Sequence, residues 1–100
     1  VEVIRDLPPA HDKGIRKTLV RGADGEHYTI YTFRLYDRPP GAEFPNYEVN
    51  VIRTDAEGRY RVLVQPFFQR FSTEEEARAM HERLLREFDT LLKLQPHTEA

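Results

Sequence analysis

The chain has 100 residues, 39% of them hydrophobic and 32% charged, with a formal charge of −2 at pH 7, which fits one small domain. It has no Cys, no Trp, one Met and a single Ser, so disulfides, a Cys nucleophile, thiolate zinc sites and iron–sulfur clusters are excluded. No apolar run reaches the ~18–20 residues that span a bilayer, and the first residues show neither the basic start nor the apolar stretch of a signal peptide; a cytoplasmic location is expected.

Residues 1–14, with Pro8-Pro9 and Gly14, read as an irregular segment, or as one containing a short extra strand at 2–5. Residues 15–21 (IRKTLVR) lead into Asp24-Gly25, a favoured two-residue hairpin turn, which pairs them with 28–36 (YTIYTFRLY) and sets Leu19 opposite Ile30. The second of these runs is almost wholly β-branched or aromatic and is the strongest strand of the chain.

Residues 38–46 (RPPGAEFPN) form a connection longer than a hairpin needs. Its prolines stiffen the backbone while Phe44 offers an apolar anchor, so Arg38, Glu43 and Phe44 are candidate recognition-loop residues; alternatively, Phe44 tucks under the sheet edge. Residues 47–53 (YEVNVIR) and 59–65 (RYRVLVQ) alternate, and Asp55-Ala56-Glu57-Gly58 suits a type I turn closed by a left-handed Gly. The resulting hairpin pairs Val51 with Val62 and Val49 with Val64.

A helix follows over 72–94. Ser72-x-x-Glu75 has capping-box spacing, Glu74, Glu75 and Glu76 suit the positive end of the helix dipole, and Ala77, Met80, Leu84, Phe88 and Leu91 recur at helical spacing, widened by Leu85 and Leu92. Glu74–Arg78, Glu82–Arg86 and Asp89–Lys93 are favourably oriented i,i+4 pairs, and Pro96 begins a frayed tail at 95–100. The expected fold is α+β: a four-stranded antiparallel meander over 15–68, five-stranded if the N-terminus adds a strand, with one long C-terminal helix on one face.

That helix is expected over Tyr31, Phe33, Leu35, Tyr47, Val49, Val51, Tyr60, Val62 and Val64. The opposite face would then carry Leu19, Tyr28, Ile30, Tyr36, Ile52 and Leu63 among Arg21, Arg34, Arg59 and Arg61, which is too apolar for a solvated surface. Three coverings would account for it: the N-terminal segment as a lid, a partner protein or second copy of the chain, or a single-stranded nucleic acid stacked on tyrosines. The charge balance disfavours nucleic acid, since residues 1–71 carry 11 basic against 10 acidic side chains and 72–100 carry 4 against 7.

Catalytic constellations are sparse. Ser72 is wanted as a helix cap, the four histidines (His11, His27, His81 and His97) lack metal-ligand spacing, and Gly22-x-x-Gly25 is a turn rather than a phosphate loop. His81, beside the apolar stripe, reads as a partly buried or rim residue. A general acid–base pair would need Glu48 beside Asp37, Glu43 or a histidine. No cofactor or metal is expected.

The sequence thus points to a non-enzymatic binding domain that associates with itself or another protein through the free sheet face or the apolar end of the helix. Tyr28, Ile30, Arg34, Tyr36, Ile52, Arg59, Arg61 and Leu63 are its candidate surface. Single-stranded nucleic-acid binding is the alternative, and a small-molecule enzyme the third reading.

Overall fold

Five strands, β1 (Glu2–Leu7), β2 (Gly14–Arg21), β3 (His27–Arg34), β4 (Tyr47–Thr54) and β5 (Phe67–Phe71), form one antiparallel sheet in chain order, and helix α1 (Glu74–Leu94) packs on its β3–β5 half. The computed structural model describes residues 1–9, 11–35, 45–60 and 62–94. The α+β meander with one helix on one face is therefore the fold, with β1 as its fifth strand.

β1 pairs along β2 with a bulge between Val3 and Arg5, so the N-terminal segment extends the sheet edge and is not a lid over a face. The β2–β3 connection is a three-residue loop, not a two-residue turn. Gly22 N–H donates to the Glu26 carbonyl at 3.0 Å, and Gly25 closes the loop with φ +83°. Asp24 organises the loop, accepting from Glu26 N–H at 3.0 Å and from Tyr28 O–H at 2.6 Å. These bonds hold the Asp24 carboxyl below its ordinary range, while burial and the Asp24 bond push the Tyr28 phenol up to about 12.

The one-residue difference in the loop sets Thr18 opposite Ile30 and Leu19 opposite Thr29, so Leu19 and Ile30 lie on opposite faces. β4 agrees, pairing Val51 with Ile30 and Val49 with Thr32. The helix accordingly covers Val20, Tyr28, Ile30, Val49, Val51 and Phe67, which pack with Ala77, Leu84, Phe88 and Leu91 of α1. Tyr28 meets Phe88 with ring centroids 5.2 Å apart. Tyr31 and Phe33, expected under the helix, are on the other side. Because residues 28–33 are β-formers on both faces, their alternation carries no phase.

The second correction concerns the last strand. Residues 59–65 do not form it; β5 begins after Pro66, and Phe67 rather than Val62 stands opposite Val51, a shift of five residues. Pro66 has no N–H to donate to the ladder, and Phe67 and Phe71, on one face of the strand, fill more space beneath the helix than Val62 and Val64 would. One ladder-like bond remains upstream, from Arg53 N–H to the Val64 carbonyl at 2.9 Å.

The cap of α1 is Thr73, not Ser72: its Oγ1 accepts from Glu76 N–H at 3.2 Å and donates to the Glu76 carboxylate at 2.9 Å. Both Ser72-x-x-Glu75 and Thr73-x-x-Glu76 satisfy the motif, and the helix takes the second. The Glu74–Arg78 pair forms at 2.8 Å, joined by Arg83–Glu87 at 3.0 Å, whereas Glu82 pairs across to Arg16 on β2 and Asp89 accepts from Ala23 N–H. Leu85 and Leu92 pack against the core, so the wide apolar stripe is used within the domain.

The register predicts that Phe67→Ala lowers the unfolding free energy by about 3–5 kcal/mol in urea titrations, whereas Val62→Ala changes it by no more than ~0.5 kcal/mol. The reverse ranking would restore the register expected from sequence.

Candidate functional site

The face of the sheet away from α1 is organised in lateral rows by the strand register. One row runs Lys17, Tyr31, Asn50, Phe68 across β2 to β5. Its neighbours are Phe33, Glu48, Arg70 on one side and Leu19, Thr29, Ile52 on the other.

The chain covers the second of these neighbours itself. With Gly58 at φ +85°, the turn after β4 crosses back over the sheet, so close that a Cβ there would lie 2.6 Å from Leu7 Cδ1 and 3.6 Å from Thr29 Oγ1. Leu19 is fully buried in this corner. Gly14 permits a similar approach, since a Cβ would stand 2.6 Å from the Tyr31 hydroxyl.

Between the covered corner and the open rows lies a hollow of about 290 Å³. His11, Tyr31 and Phe33 form an aromatic wall, with His11–Tyr31 centroids 5.8 Å and Tyr31–Phe33 centroids 5.0 Å apart. Tyr60, 57% exposed, also lines the hollow, and Lys17 Nζ lies 5.7 Å from the centre of the Tyr31 ring. Lys13 N–H donates to His11 Nδ1, which places the proton of the neutral ring on Nε2, 3.2 Å from the Tyr31 hydroxyl oxygen.

Asn50 is buried at the hollow. Its Nδ2 donates to Glu48 Oε2 at 3.1 Å, and Glu48 Oε1 accepts from Arg70 Nε at 3.3 Å. Turning the amide over would set its carbonyl oxygen against a carboxylate, so Oδ1 stays on the far side, buried and without a hydrogen-bond partner.

The residues expected to form the surface are dispersed. Tyr28 and Ile30 are buried beneath α1, while Ile52 is half-buried on the open side. Arg34, at the end of β3, lines a different hollow with Glu74; Arg59 is exposed in the turn and paired with Asp55 and Glu57. Leu63 is exposed in the segment before β5, outside the sheet. Tyr36, Arg61 and the loop residues Arg38, Glu43 and Phe44 lie outside the described residues. Tyr31, Phe33, Lys17 and Asn50 were missed because the wrong phase of β3 hid the first two, and a lone Asn or Lys in a strand carries no signal of its own.

His81 is the other chemically distinctive group, and it is fully buried rather than at a rim. Thr18 O–H donates to Asp6 Oδ1 at 2.6 Å, so Thr18 Oγ1 must accept from His81 Nε2 at 2.9 Å; Thr32 O–H then donates to Nδ1 at 2.7 Å. Both ring nitrogens are committed, which makes this a closed structural relay from β1 through β2 and α1 to β3. Among the described residues no group of three His, Asp or Glu side chains is placed to hold a metal ion.

Comparison with protein-family models, with characterised proteins and with solved structures finds no match to this chain.

Burial, with the nearby Arg16 charge second, pushes the His81 imidazole down to about 4, below the 6.5 of a free histidine. Between these values the unfolded chain binds the extra proton, so stability is complete above pH 6.5 and falls as the pH is lowered toward 4. Urea titrations across that range are expected to show a loss of roughly 3 kcal/mol from this group. The decline should be markedly shallower in His81→Gln.

Proposed function

We propose that the chain is a non-catalytic binding domain whose working surface is the open face of the sheet around the hollow bounded by Tyr31, Phe33, Asn50 and Tyr60. The observation that carries this reading is the aromatic wall of Tyr31 and Phe33 with Lys17 beside it, at a hollow the fold's own turn leaves uncovered. Binding is favoured over catalysis because Glu48, the carboxylate best placed for proton transfer, is already committed to Arg70 and Asn50. Its test is a fragment screen by ¹⁵N–¹H NMR. Shifts should gather on the amides of Lys17, Tyr31, Asn50, Gly58 and Tyr60, and shifts concentrated on α1 would count against the open face.

A second reading, self-association, rests on the segment before β5. Val62, Leu63 and Val64 are 75%, 61% and 43% exposed, three consecutive apolar side chains that the sheet does not take up. Sedimentation equilibrium should show a mass that rises with concentration in the wild type and stays at the monomer value in Val62→Glu/Leu63→Glu. A wild type that is monomeric at high micromolar concentration would dispose of this reading and leave the hollow untouched.

A further inference from the structure

The turn after β4 is closed like a hairpin turn, yet no hairpin grows from it. Asp55 N–H donates to the Arg59 carbonyl at 2.7 Å and Gly58 N–H to the Asp55 carbonyl at 3.0 Å. Asp55 Oδ1 accepts from the N–H groups of Glu57 and Arg59, each at 2.9 Å. A ladder continued from this closure would join residue 53 to residue 61, but Arg53 N–H donates to the Val64 carbonyl instead. The chain therefore leaves β4 after the turn and rejoins it at Val64, and the stretch between is a lip fixed at both ends by these bonds. Val62 on this lip is the most exposed large apolar side chain among the described residues, and Tyr60 is more than half exposed.

Beside the lip lies a hollow of about 560 Å³. Tyr60, Val62 and Val64 line it from the lip, and Thr54 and Ala56 from the strand end and the turn, whereas Leu63, between the two valines, is outside it. A projecting apolar lip next to a hollow is self-complementary. A second copy turned about a two-fold axis puts its lip in this hollow and receives this lip in its own. An unrelated partner would have to supply both features, while a copy carries both.

The areas decide what such a contact can hold. From their exposures, Tyr60, Val62 and Val64 offer roughly 300 Å² of lip. Burying that against a similar area of hollow, twice over by symmetry, removes roughly 1,200 Å² from water, the lower end of specific interfaces. The ion pairs Arg53–Glu26 and Arg59–Asp55 border the same hollow and form a polar rim around its apolar wall. Because the lip is anchored at both ends, docking it orders little further backbone.

We propose that two copies of the chain clasp each other across a two-fold axis, the lip with Tyr60, Val62 and Val64 of each seated in the hollow beside Thr54 and Ala56 of the other. The assignment rests on the self-association reading and names the partner and the geometry for it. An interface of this size gives a dimer that forms at micromolar concentration.

Sedimentation equilibrium of the full chain should set the wild type beside Val62→Glu and Leu63→Glu as single variants. Val62→Glu would bury a carboxylate in the partner's hollow and should raise the dimer Kd about thirtyfold or more, whereas Leu63→Glu should leave it within about threefold. Both side chains are exposed, so the fold should survive either change, with the amide shifts of α1 as the check. In a mixture of ¹³C-labelled and unlabelled chains, isotope-filtered NOEs should join the Val62 and Val64 methyls of one copy to the Thr54 and Ala56 methyls of the other. A wild type that is monomeric at high micromolar concentration overturns the clasp and the self-association reading together. A dimer that Leu63→Glu weakens as much as Val62→Glu, or whose intermolecular NOEs miss Thr54 and Ala56, overturns the clasp and leaves self-association standing. A dimer indifferent to both substitutions overturns the clasp and removes the segment from the interface.

Discussion

Phe67 beneath α1 and opposite Val51 is the contact on which the rest of the arrangement depends. With this ring in the core, β5 begins at Phe67 and residues 55–66 become a connection rather than part of a hairpin. That slack lets the turn cross the open face with Gly58 against Leu7 and Thr29, burying Leu19 from the side the helix does not reach. It also puts Tyr60 at the rim of the hollow and leaves Val62, Leu63 and Val64 outside the sheet. A hairpin closed at Gly58 with 59–65 as its second strand would have removed both the exposed segment and Tyr60 from the rim of the hollow.

The parts of the fold that were legible in the sequence were those in which one period or motif had a single solution. The helix is one: its apolar spacing and acidic first turn have no alternative phase, and only its cap was ambiguous, because two adjacent residue pairs satisfy the same spacing. β4 is another, with Val49 and Val51 on the core side as their alternation implies. β3 is the opposite case. Tyr28, Ile30 and Thr32 on one face and Tyr31 and Phe33 on the other suit a strand equally well, so its phase is decided by a three-residue loop and by the bond from Thr32 to His81. In 59–71 two strand-like runs compete, and side-chain volume under a helix, which alternation does not register, decides between them.

The two faces of the sheet handle buried polarity differently. On the helix side, buried Thr18, His81 and Thr32 and the exposed Asp6 make an unbroken donor-to-acceptor chain in which the imidazole has a partner at each nitrogen. Such a network ties four elements together and fixes the face that β3 presents, in keeping with the cost of an unpaired group in a low-dielectric interior. On the open side, Glu48 satisfies only one end of Asn50. A side chain buried to a similar degree is thus complete in one setting and half-complete in the other, and the incomplete one lines the hollow walled by Tyr31 and Phe33.

Pairing also limits the positive field of an Arg-bearing surface. The guanidinium groups of Arg21, Arg53, Arg59 and Arg70 each stand beside a carboxylate, so their contribution to a long-range positive field is largely cancelled. Exposed pairs of this kind add little to stability. They leave Lys17, beside the Tyr31 ring on the neighbouring strand, without a carboxylate partner among the described residues. The field of a single side chain is screened within a Debye length of about 8–10 Å, so the charge of Lys17 is a local feature of the hollow rather than a long-range one.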